Sequence, residues 1–63
     1  MKARYRVKRG MGLNVEVEVT LEDGRGFRIN TGIDHVDTPE KAREMVRFFA
    51  KSLFGEDVEP EEA

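Results

Sequence analysis

The chain has 63 residues, with 11 Lys plus Arg against 13 Asp plus Glu, one His and no Cys. A chain of this size buries only about 60% of its unfolded surface, so it holds one small core and neither a second domain nor a disulfide or Cys-based metal staple. No segment approaches the ~20 apolar residues that a bilayer requires, and Met1-Lys2-Ala3-Arg4 leads into alternation rather than into a signal-peptide apolar region, so a soluble, cytoplasmic chain without membrane association is expected.

Residues 2–9 alternate, with Lys2, Arg4, Arg6 and Lys8 on one side and Ala3, Tyr5 and Val7 on the other. A period of two reads as a half-buried strand. Gly10-Met11-Gly12 follows as a hairpin loop. Residues 14–21 alternate again, Val15, Val17, Val19 and Leu21 opposing Asn14, Glu16, Glu18 and Thr20. Closing the loop at Gly10–Gly12 predicts Arg6 opposite Glu16 and Arg4 opposite Glu18, as charge ladders on a solvated face. Asp23-Gly24 marks a second hairpin turn. A third strand over 26–30 then turns Phe27 and Ile29 inward and Arg28 and Asn30 outward.

A loop over 31–37 leads to Thr38-Pro39-Glu40. Thr38 can cap a helix with its hydroxyl, Pro39 needs no donor at the first helical position, and Glu40 suits the positive end of the dipole. Asp37 with Glu40 offers an alternative capping box. Ala42, Met45, Val46, Phe49 and Leu53 form an apolar stripe, and Gly55 ends the helix. The fold class is therefore α+β: a three-stranded antiparallel sheet with one C-terminal helix packed on one face, β-β-β-α, over residues 1–55. Residues 56–63 carry five acids and no base. They are expected to form an acidic disordered tail able to compete with an anionic partner for the basic body.

Catalytic chemistry has few candidates. Without Cys there is no thiol nucleophile, and Ser52 with His35 would join mid-helix to loop with no orienting turn. Asp34, His35 and Asp37 are three possible ligands with no second cluster, so no metal is expected. The Gly-x-Gly runs at 10–12 and 24–26 open no helix after a strand, which makes them turns rather than phosphate cradles. Glu16 and Glu18 on a flat face are ladder partners rather than a glycosidase pair. The reading is a non-enzymatic binding module with no cofactor and no small-molecule substrate.

The exposed sheet face carries Lys2, Arg4, Arg6, Lys8 and Arg28. Sheets can enter the DNA major groove, where Arg reads guanine and Asn reads adenine, so nucleic acid is the first expected partner. The segments Tyr5-Arg6-Val7-Lys8-Arg9, Arg25-Gly26-Phe27-Arg28-Ile29-Asn30-Thr31-Gly32-Ile33 and Asp37-Thr38-Pro39-Glu40-Lys41-Ala42 resemble the three-stranded-sheet DNA-binding domains of plant AP2-type factors and the arm-binding domains of tyrosine recombinases. The resemblance implies a sheet lying in the major groove, with contacts from Arg4, Arg6, Lys8 and Arg28. A second class is a protein-interaction or homodimerisation module, using Phe48 and Phe54 outside the core stripe together with an open strand edge. The regular patterning is also similar to that of thermophile proteins or designed miniproteins, in which consistency between levels specifies folding alone.

Overall fold

The structure, a computed structural model, describes residues 1–63. Three strands and a helix appear in the expected order: β1 (Lys2–Arg9), β2 (Asn14–Leu21), β3 (Gly26–Gly32) and α1 (Pro39–Phe54). A single 3-10 turn at Ile33–His35 joins β3 to the helix, and a fourth strand, β4 (Glu59–Glu62), follows it. The sheet order is β3-β2-β1-β4, with β4 parallel to β1 and the other pairs antiparallel. The fold is thus α+β with a four-stranded mixed sheet rather than a three-stranded antiparallel one.

The core follows from the alternation. Ala3, Tyr5, Val15, Val17, Val19, Leu21 and Ile29 turn to the helix face, where they bury against Ala42, Val46 and Ala50. Ala42 and Ala50, one turn either side of buried Val46, allow close approach of helix to sheet. Contact therefore centres on the 42-46-50 line. Leu53, expected in the stripe, stays 57% exposed. The last turn is closed instead by Phe54, whose ring lies 5.9 Å from that of Phe27 and beneath the Arg25 guanidinium at 4.9 Å. Phe54 accordingly stands half-buried at the margin of the core.

Both ends of α1 match their sequence signals. The Thr38 hydroxyl accepts from the Lys41 N–H at 3.2 Å, and Gly55 adopts φ 69°, its N–H donating to the Lys51 carbonyl while the Glu56 N–H donates to that of Ala50. Asp37 caps nothing; it pairs with Lys41 at 2.9 Å.

Residues 56–63 do not form a disordered tail. Val58 is buried, as is Pro60, which sits beside Ala3 in the β1–β4 register. Glu59 and Ala63 donate their N–H groups to the carbonyls of Met1 and Tyr5, both at 2.8 Å. Alternate residues thus aim their donors at β1, and the missing N–H of Pro60 falls on the outer edge, where no ladder bond needs it. Two apolar groups and a row of backbone bonds offset an ordering entropy that composition alone did not show being met.

The first hairpin closes later than expected. Gly10 and Asn14 pair around Met11-Gly12-Leu13, with Gly12 at φ 64°. Lys8 therefore faces Glu16, Arg6 faces Glu18 and Arg4 faces Thr20. The shift is two residues, so every side chain keeps its face and only the ladder partners change.

Candidate nucleic-acid interface

The face of the sheet turned away from α1 holds all five cations expected there. Lys2, Arg4, Arg6 and Lys8 stand along β1 and Arg28 on β3. Across the strands, Arg6, Glu18 and Arg28 lie in one row, since Glu18 faces Arg6 on one side and Arg28 on the other. The adjacent row runs Arg4, Thr20, Gly26, and the next Lys8, Glu16, Asn30. A side chain on Gly26 would bring a Cβ within 2.7 Å of the Val19 carbonyl oxygen, so the third strand approaches the second closely at this corner.

Ion pairing divides the cations into two groups. Lys8 reaches the Glu18 carboxylate at 2.7 Å and Lys2 reaches Glu61 at 3.8 Å. Arg4, Arg6 and Arg28 have no carboxylate oxygen within 4.0 Å. These three arginines line one shallow depression together with Glu18 and Thr20. The Lys8 hydrogen bond, with weaker attraction from Arg28 and Arg6, holds the Glu18 carboxyl below the usual glutamate range. Glu18 is therefore anionic at neutral pH, flanked by two arginines but bonded to neither.

β4 changes the balance of this face in a way that residues 1–55 alone do not indicate. Its register with β1 places Glu59 beside Lys2 and Glu61 beside Arg4, adding two acids to Glu16 and Glu18. The acids collect at the β4 margin and along β2, while Arg4, Arg6 and Arg28 remain unpaired around the depression. No aromatic ring is presented here, because Tyr5 and Phe27 belong to the helix face.

The other candidate residues lie elsewhere. Phe48 is 64% exposed on the outer side of α1. Its ring packs edge-on against Phe49 at 5.3 Å. No group of three or more His, Asp or Glu side chains is arranged to hold a metal ion, and no helix is long and apolar enough to cross a membrane. Comparison with protein-family models, curated proteins and solved structures returned no match.

Proposed function

We propose that the chain is a non-enzymatic binding module whose open sheet face contacts the phosphate backbone of a nucleic-acid duplex through Arg4, Arg6 and Arg28. The observation that carries this reading is the absence of any carboxylate partner for these three arginines on a face where both lysines of β1 are engaged. An unpaired guanidinium keeps its whole donor fork for phosphate or for a guanine edge. Thr20 and Asn30 add neutral hydrogen-bonding groups beside them. Lys2 and Lys8 supply weaker contacts, since each must leave a glutamate to reach a phosphate.

Duplex is favoured over single strand because a single-strand platform stacks bases on aromatic rings, and none faces this side. Neighbouring strands lie about 4.8 Å apart, so β1 to β3 span about 10 Å between outer axes, within the ~12 Å major groove of B-form DNA. β4 widens the sheet by one more strand and brings Glu59 and Glu61, which favours an approach led by the β2–β3 side. The sequence pI of 5.4 limits general polyanion affinity. The resemblance to three-stranded-sheet DNA-binding domains supports the same face.

Fluorescence anisotropy of a labelled duplex at low salt tests the reading. Three phosphate contacts give a logarithmic salt slope of about −2.7. A flat titration to high micromolar protein overturns it.

A further inference from the structure

The two edges of the sheet are treated differently by the chain. β4, at one edge, is four residues long, contains Pro60 at its outward donor position and carries Glu59, Glu61 and Glu62. Short length, proline and charge are the ordinary means of blunting an edge against pairing with another strand. β3, at the other edge, is neither short nor interrupted by proline: it is seven residues long and carries a single charge, Arg28. The Leu21 N–H to Arg25 bond and the Ile33 N–H to Leu13 bond, 2.7 Å each, fix odd-numbered residues as the inward-bonding ones. Antiparallel alternation then leaves the backbone groups of Gly26, Arg28, Asn30 and Gly32 facing outward and unpaired.

Beside this edge lies a second apolar stripe on α1. Met45, Phe48, Phe49 and Leu53 recur at helical spacing, with Phe48 64% and Leu53 57% exposed. Met45, Phe48 and Phe49 share a depression with Asp34 and His35, on the segment that leaves β3. The stripe therefore flanks the unguarded strand rather than the guarded one.

We infer that this side of the molecule pairs with a second copy of the same chain, β3 against β3 in antiparallel register about Ile29. The register is self-complementary. Outward-facing Arg28 of one copy meets outward-facing Asn30 of the other, Gly26 meets Gly32, and no like charges stand opposite each other. On the helix side the Ile29 side chains meet at the two-fold axis, and the Met45, Phe48 and Phe49 groups of both copies close over the seam. The rim of that depression holds Asp34 and Glu44 with Lys41, both signs on each copy, as a two-fold contact requires. The pairing makes one eight-stranded sheet with the guarded β4 strands outermost; at roughly 34 Å between outer axes it is wider than the ~12 Å major groove, so pairing through β3 and insertion led by the β2–β3 side are alternative states of the chain.

Sedimentation velocity on the full chain without nucleic acid tests this. The mass is expected to rise with concentration from 7.2 kDa to twice that. Asn30→Lys, which sets a lysine against Arg28 of the other copy, returns it to monomer, and adding Arg28→Glu to that variant restores the dimer. Asn30 is exposed on the open face, so the substitution leaves the core intact. Phe48→Glu is expected to weaken the dimer independently. In hydrogen exchange the amides of Arg28 and Asn30 gain protection as concentration rises. A chain mass of 7.2 kDa at millimolar concentration overturns the inference, as does a dimer that Asn30→Lys leaves unchanged.

Discussion

Lys8 bonds to Glu18 at 2.7 Å although the ladder sets it opposite Glu16. The contact crosses the sheet diagonally, a reach of about 7–8 Å between backbones that a lysine and a glutamate can span. Its effect is to withdraw Glu18 from the two arginines beside it, so the face keeps its unpaired guanidinium groups despite a carboxylate in their midst.

This contact predicts an acid-side change. The Glu18 carboxyl is held low in the folded chain chiefly by the Lys8 hydrogen bond. Its contribution to stability is present above the unfolded glutamate value of about 4.3 and is lost as pH falls through the lower folded value. Side-chain NMR titration is expected to place the Glu18 midpoint below the usual glutamate range, and Lys8→Met to move it upward. A midpoint unmoved by that substitution refutes the contact in solution.

The arginine assignment predicts a graded response. Arg4→Gln, Arg6→Gln and Arg28→Gln are each expected to weaken duplex binding and to flatten the logarithmic salt slope by about 0.9. Lys2→Gln is expected to do less, because Lys2 begins in a pair with Glu61. Equal losses for Lys2 and the arginines would contradict the division between engaged and free cations.

For the helix start, Thr38→Ala removes the hydroxyl that accepts from Lys41. The expected cost is about 1 kcal/mol, or a fall of roughly 4–8 °C in Tm for a domain of this size. Calorimetry or thermal circular dichroism measures it, and Thr38→Ser is expected to retain most of the stability.

β4 has two roles that different variants separate. Removing residues 57–63 uncovers Ala3 and Tyr5 and strips the β1 edge, and is expected to lower the urea midpoint sharply. The double variant Glu59→Gln and Glu61→Gln keeps the strand, shifts stability by about 0.5 kcal/mol or less and tightens duplex binding. A truncated chain with an unchanged midpoint would mean that the strand is not part of the cooperative unit.

The alternation of residues 2–9 and 14–21 and the Thr38, Pro39 and Gly55 signals were legible because each is decided by neighbours in sequence. The hairpin register was not, because it turns on whether Gly10 or Gly12 closes the loop, and the positive φ belongs to Gly12. β4 escaped notice for a related reason: Val58 and Pro60 are too few to announce a strand, and their burial depends on Ala3 being small, 57 positions upstream of Pro60. The exchange of Leu53 for Phe54 in the last helical turn likewise depends on Phe27, a distant ring. Of the interface, the cations could be named from periodicity. Which of them remained unpaired required the register and the fourth strand.

The parallel pairing of β1 with β4 couples the two ends of the chain. β1 lies inside the sheet, and it takes its second neighbour from a segment 57 positions further along the sequence. That pairing closes a far longer loop than either hairpin and carries the larger closure entropy, so freeing residues 59–62 strips β1 of one of its two neighbours while both hairpins stay paired.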